Sequence, residues 1–447
     1  MTGAAPRPPT FGEAFRFWLK LGFISFGGPT GQIAIMHAEL VERKKWIGEQ
    51  RFLHALNYCM LLPGPEATQL ATYCGWLLHR TWGGVVAGVL FVLPAIVLLW
   101  ALSYVYAAFG AVPWVAAMFY GLKPAVTAIV LAAVIRIGRR ALRTLRMWAI
   151  AAAAFALLFF AQVPFPLIIA GAALIGLVLS RFADGDALTD SAVNAPRDRI
   201  GAPRAVIDDS ALSPAHASAS WARAGRVLGA CLVLWWAPVL ALALWQGGDA
   251  ILVHEGVFFS KAAMVTFGGA YAVLPYVGQQ AVEHYHWITG TQMVDGLGLA
   301  ETTPGPLIMV VQFVGFLGAW QHPGNLPRLL AGTLGALITT WTTFVPCFLW
   351  ILLGAPHIEQ LRGNQRISRA LGAVTAAVVG VVLNLAVWFA LQVFFPASAG
   401  AGAIDWFAIA VCVVAFVAMQ RFEVGVVPVI FASALLGLAA SWFAAHH

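Results

Sequence analysis

Charge is scarce in this chain of 447 residues: 10% of them are Asp, Glu, Lys or Arg, against about 25% in ordinary soluble proteins. With 61% hydrophobic residues and a mean hydropathy of +0.82, that scarcity excludes a soluble globular domain. Cysteine is sparse too. Cys59, Cys74, Cys231, Cys347 and Cys412 stand far apart in apolar runs, with no CxxC pair or metal-ligand spacing, so they read as small core residues rather than disulfides or metal ligands. No HExxH, GxSxG, Walker or GxGxxG context occurs, and "FGGPTG" at Phe26 lacks the following GK[ST] and the βα unit of a phosphate loop. No cofactor, no metal and no enzymatic activity are expected. The first ten residues carry one Arg and no apolar core, so a cleavable signal peptide is not expected either.

Long apolar runs are abundant. A spanning helix needs about 20 mostly apolar residues, and Gly84 to Phe109 and Ile367 to Phe395 are two of many such runs. The composition therefore predicts an all-α polytopic protein with about 10–13 membrane segments, whose partner is the lipid bilayer, not nucleic acid. Lys and Arg accumulate in cytoplasmic loops of such proteins. The formal charge of +7 is then a matter of topology before it is one of partners.

The chain nearly repeats itself. A shift of 241 residues lays Lys20 on Lys261, Ser25 on Thr266, Phe26, Gly27 and Gly28 on Phe267, Gly268 and Gly269, and Trp46 on Trp287. It then carries Pro63, Gly64 and Pro65 onto Pro304, Gly305 and Pro306, with 12 identities in 46 ungapped positions. They are concentrated in Gly, Pro, Trp and charged residues, which shared greasiness alone would not match. Internal duplication of this kind marks many transporter folds. The expected organisation is an N-terminal repeat (1–180), a solvated cytoplasmic linker (181–223), an extra transmembrane helix (224–247) and a C-terminal repeat (248–447).

One unpaired helix between the halves should insert the second upside down. The arginines agree. Arg136, Arg139, Arg140, Arg143 and Arg146 follow a span of the first half, whereas Arg362, Arg366 and Arg369 precede the corresponding span of the second, and the opposite ends "AAFGAVP" and "PASAGAG" are uncharged. By the positive-inside rule both clusters are cytoplasmic, which predicts two inverted-topology repeats with broken or re-entrant helices. Lys44 and Lys45 favour re-entrant segments, since full crossing would place them outside.

Paired glycines and Pro-Gly-Pro break helices through a missing Cβ, a missing amide proton and the restriction Pro puts on its predecessor. A helix restarting after such a break presents free N–H groups and the positive end of its dipole, an anion site. The expected substrate-binding set is Ser25, Gly27, Gly28, Thr30, Pro63, Gly64 and Pro65 in the first half. Its counterpart is Thr266, Gly268, Gly269, Thr303, Pro304, Gly305 and Pro306, with Thr302 beside it. Lys20, Lys261 and Lys123 are candidate cations, because an intramembrane Lys is costly without a task. Glu66 and Glu301 could couple protons or counter-ions, or cap broken helices. Arg136 reads as an interfacial anchor. The plain alternative for the breaks is close helix packing.

With these residues assembled, the chain resembles the chromate ion transporter (CHR) family in its long two-repeat form. The carriers are "FISFGGPTGQIAIMHAELVERKKWI", "LLPGPEATQLATYCGW", "MVTFGGAYAVLPYV" and "TTPGPLIMVVQFVGF". The resemblance implies a multi-pass protein of the bacterial plasma membrane that exports chromate, with Phe26 to Pro29, Pro63 to Pro65, Phe267 to Gly269 and Pro304 to Pro306 as the matching motifs. Sulfate or another divalent oxyanion is the alternative substrate, and a homodimer is allowed. A membrane-embedded enzyme and a scaffold docking through the linker are the competing classes. Neither calls for duplicated helix breaks.

Overall fold

Helix is the only way to satisfy backbone polar groups within an apolar run that lacks the alternation of a barrel strand. The computed structural model accordingly shows an all-α polytopic protein; it describes residues 7–26, 28–182, 205–207, 221–355, 365–396 and 403–446. Gly27, Arg362, residues 397–402 and most of the linker lie outside the described residues, and the side chain of Thr30 is not described.

In the first half α1 (Phe11–Ile24) starts from a capping box, the Thr10 hydroxyl accepting from Glu13 N and the Glu13 carboxylate accepting from Thr10 N. It stops at Ser25, where the glycines begin. Past the break, α2 (Gly28–His37) winds into a π-helical turn, Ala38–Arg43. Next come α3 (Glu49–Leu61), which ends at Pro-Gly-Pro, and α4 (Glu66–Phe109), which leaves it. Four apolar helices follow: α5 (Pro113–Ala141), α6 (Leu145–Phe159), α7 (Phe165–Phe182) and the unpaired α8 (Trp221–Gln246).

The second half repeats these local conformations. Its helices are α9 (Ile251–Val265), α10 (Ala270–Gly278), α11 (Gly290–Thr302), α12 (Val310–Gln321) and α13 (Arg328–Gly354), then α14 (Gln365–Phe394), α15 (Trp406–Arg421) and α16 (Val426–His446). The 241-residue shift carries the π-helical turn Ala38–Arg43 onto another, Gln279–His284. It also carries positive φ at Gly28, Lys45 and Gly64 (69°, 52° and 118°) onto Gly269, His286 and Gly305 (93°, 54° and 109°). Lys and His rarely adopt such φ. Their recurrence in register means the duplication extends to the backbone.

α4 is two arms. His79 (φ −135°) and Arg80 (φ 56°) leave helical geometry, and the chain doubles back there. A Cβ on Gly75 would lie 2.4 Å from Gly83 O and 2.5 Å from Ala87 Cβ, and one on Gly88 would lie 2.4 Å from Thr72 Oγ1. Such contacts require an antiparallel hairpin, with glycine wherever the arms nearly touch. α12 and α13 form the equivalent hairpin, Gly315 against Gly335 and Thr339.

Among the described residues six helices are long and apolar enough to cross a membrane: α4, α5, α8, α13, and the Ala370–Phe394 and Val426–Ala444 stretches of α14 and α16. Four shorter apolar helices, Leu145–Phe159, Phe165–Leu179, Leu307–Gln321 and Trp406–Arg421, accompany them. Packing exchanges helices between the halves. α5 lies against α15 and α16, and α14 against α6 and α7. Backbones approach closely at these seams, since a Cβ on Gly121 would meet Ser433 O at 2.1 Å and one on Gly380 would meet Ala151 O at 2.0 Å. Small residues at helix contacts are how membrane bundles gain dispersion energy without a hydrophobic driving force.

The breaks of each half open toward one end of the molecule. His79 Nε2 bonds Pro9 O at 3.0 Å, Arg223 lies 5.6 Å over the Trp76 ring, and the linker residue Ile207 pairs with the loop before α3, Gly48 N donating to Ile207 O at 3.0 Å. These contacts gather the start of α1, the α2–α3 loop and the α4 reversal beside the linker. In the second half Leu252 packs on Ala319 and Ala331, and Gln292, Gln321 and Arg328 line one cavity with Gly110 and Ala111. Between the two groups runs the second arm of α4, residues 81–109, about 40 Å long at 1.5 Å per residue.

Candidate functional site

The broken ends of the two halves meet each other. Gly64 N–H donates to Thr266 O at 2.7 Å, and Gly305 N–H donates to Ser25 O at 2.8 Å. Each Pro-Gly-Pro tip of one half is thus bonded to the glycine break of the other, through residues that the repeat makes equivalent. Gln32 Nε2 reinforces one crossing by donating to Gly305 O and, at 3.4 Å, to Ser25 O. Gln69 Nε2 donates to Pro63 O at 2.8 Å in the other. Buried backbone groups left without partners cost roughly 1–3 kcal/mol each, so two breaks that satisfy each other are cheaper together than apart.

Glycine is required at both tips. The φ values of 118° at Gly64 and 109° at Gly305 disfavour any side chain. Space is also missing, because a Cβ on Gly64 would sit 2.8 Å from Cys347 Sγ and one on Gly305 would sit 2.6 Å from Ala95 Cβ. Cys347 and Ala95 directly follow Pro346 and Pro94 in α13 and α4, again equivalent places.

The hydroxyls expected to face an anion donate elsewhere. Ser25 and Thr266 bond Leu21 O and Ala262 O, each at 2.6 Å, while Thr302 and Thr303 bond Leu299 O and Ala300 O at 2.7 and 3.0 Å. Their protons seal the last turns of α1, α9 and α11. Lys20 and Lys261 are exposed and make no hydrogen bond or ion pair among the described residues. Lys123 is paired: its Nζ lies 3.6 Å from Asp295 Oδ2, which also accepts from Tyr106 Oη at 2.8 Å.

Beside the crossed tips a second polar group forms. Tyr271, two residues after Gly269, donates its hydroxyl to Glu301 Oε1, and Arg136 of α5 reaches the same hydroxyl and the field of Glu301. Glu66 lies on the other side of the break, its Oε1 3.9 Å from where a side chain on Gly269 would begin. Gly268 and Gly269 (φ 79° and 93°) keep this break free of side chains, so a ligand could approach the backbone. The repeat does not extend to these groups. Glu66, Tyr271 and Glu301 align with Leu307, Thr30 and Met60, and the site is chemically one-sided.

Sequence reasoning missed Gln32, Gln69 and Tyr271, and it gave Arg136 a different role. Arg136 begins a run of five arginines and reads as an anchor, whereas it lies within reach of Tyr271; Gln32 and Gln69 carry no charge to draw notice inside apolar stretches. The available signal for Tyr271 was its place just past the second glycine pair.

Comparison with known proteins follows the same division of the chain. A family profile described as Chromate transporter matches residues 12–177 and again residues 255–438. A chromate transport protein of Pseudomonas aeruginosa is 32% identical over 388 residues, 85% of this chain and 81% of that one. One of Cupriavidus metallidurans is 29% identical over 385 residues, 85% and 83% of the two chains. An uncharacterised transporter of Methanocaldococcus jannaschii is 24% identical over 388 residues, 86% of each chain. No solved structure matches.

Proposed function

Because the chain belongs to the chromate transporter family, we propose that it exports chromate across a bacterial plasma membrane, its two halves lying in inverted topology and alternating access to the crossed breaks. The observation that carries this reading is the reciprocal pair of bonds Gly64 to Thr266 and Gly305 to Ser25. It supports a pseudo-two-fold centre where one half can rock against the other while a small ligand is held between half-helix ends. The break groups oriented toward opposite ends of the second α4 arm support the inversion. An ion with four oxygens and two negative charges suits the site chemically. Arg136 supplies a planar fork of donors for oxyanion oxygens, the Tyr271 hydroxyl a neutral donor, and the Gly268–Gly269 backbone an open approach. Glu301 compensates the guanidinium while the site is empty. No ATPase motif is present in the sequence, and an inside-negative potential would itself drive a dianion outward.

Purified protein in liposomes, assayed for chromate and sulfate flux under an imposed potential, tests the reading. Chromate flux that rises with the potential is expected. Arg136→Gln should lower it about tenfold or more, since a charged hydrogen bond contributes roughly 1.5–3 kcal/mol. Folded wild-type protein that moves neither ion would sink the proposal, and sulfate flux alone would redirect it to the other substrate.

A further inference from the structure

A second cation–acid–tyrosine group lies away from the crossed breaks. Asp295 of α11 is 3% exposed in its side chain and faces Lys123 of α5 and Tyr106 of α4. Only Oδ2 is engaged; Oδ1 is buried with no partner among the described residues. Tyr106 also lines a cavity of about 470 Å³ together with Gln292, Gln321, Trp320 and Arg328. Arg328 is exposed at the first turn of α13, where a cation opposes the helix dipole and gains nothing for helix stability. The chemistry parallels that of Arg136, Glu301 and Tyr271, with the same helices α5 and α11 supplying cation and acid.

We propose that Lys123, Asp295 and Tyr106 form a second oxyanion station at which binding of the dianion is coupled to uptake of one proton by Asp295. This rests on the oxyanion reading above. With Asp295 ionised, Lys123 is neutralised and an arriving dianion meets the carboxylate's repulsion. With Asp295 protonated, Lys123 is an uncompensated cation in a low-dielectric setting, a costly state that an anion relieves. Each event therefore favours the other, and the coupling is reciprocal. The bare Oδ1 is the atom that receives the proton. Among the described residues no other acid faces it: α4 and α5 bring Tyr106 and Lys123, the cavity brings Arg328, and Glu301 lies farther along α11 itself. α12 carries no titratable residue, while α14 and α16 carry Arg366, Arg369 and His446 only toward their remote ends. Under the repeat Asp295 aligns with His54, so each molecule has one such carboxylate.

Full-length protein in weakly buffered detergent solution, titrated with chromate above the pH at which chromate itself protonates, gives the test through a pH indicator. Wild type should take up about one proton per oxyanion bound, and its affinity should fall about tenfold per pH unit where Asp295 ionises. Asp295→Asn should bind with proton uptake abolished and with affinity nearly flat in pH. Asp295→Glu should restore uptake, which separates a lost proton site from a damaged fold. Binding by wild type without uptake, or undiminished uptake by Asp295→Asn, overturns the inference alone. Folded wild type that binds no oxyanion overturns the transport reading, and this inference with it.

Discussion

Gly305 shows how much one hydrogen atom in place of a side chain can decide. Its φ of 109° and the 2.6 Å that would separate a new Cβ from Ala95 Cβ leave no low-energy route for alanine. Backbone strain of this kind costs roughly 1–3 kcal/mol, and the contact adds to it by pushing the tip off Ser25 O. Gly305→Ala is therefore expected to lower the thermal midpoint and to abolish chromate flux, while Gly12→Ala, with nothing within 4 Å and a helical backbone, should be neutral or stabilise by about 0.5–1 kcal/mol. Equal behaviour of the two variants would remove the tip from the mechanism. At this scale sequence was a partial guide. Gly and Pro constrain the backbone wherever they occur, so the breaks were legible; side-chain direction was not, which is why Arg136 reads as an anchor and the hydroxyls of Ser25 and Thr266 read as ligands when they close their own helices.

At the scale of elements the deciding feature is where each broken helix returns. α1 with α2, and α3 with the first arm of α4, both start and finish near the linker residue Ile207, His79 and Arg223. The corresponding pairs of the second half finish near Gln321 and Arg328. A hairpin that enters and leaves at one end is tolerable in a membrane only where protein covers its tip, and the crossed bonds provide that cover. Lys44→Cys should consequently react with a membrane-impermeant thiol reagent only after cells are opened, whereas Asn325→Cys should react in intact cells; the five native thiols are buried and give little background. Labelling of both positions from the same side would contradict the inverted arrangement. The reversal at His79 and Arg80 falls where the polar residues His79, Arg80 and Thr81 interrupt the apolar run, and Gly75 before the turn and Gly83 after it let the two arms touch.

The whole molecule is held together by exchange: α5 of the first half packs on α15 and α16 of the second, and α14 of the second packs on α6 and α7 of the first. Two sequence repeats therefore do not make two folding units. Gly121 and Gly437 approach so closely that a Cβ on either would touch backbone of the other helix, at 2.6 Å from Gly437 N and Gly121 N respectively. A half produced alone would leave such a seam facing lipid, with its broken tips unpaired; losing the crossed bonds would strand buried N–H groups at roughly 1–3 kcal/mol each. Continuity of the chain matters less. Residues 183–220 join α7 to α8, and the sequence from 183 to 204 has no apolar run, so a cut there interrupts no apolar helix. Residues 1–190 and 191–447, co-expressed as separate chains, should then co-purify and carry chromate flux close to that of the intact protein. Either piece alone should be degraded or aggregate. The outcome that would refute the exchanged packing is a single half that is monodisperse and stable by itself, because α5 without α15 and α16 would then have had no need of them.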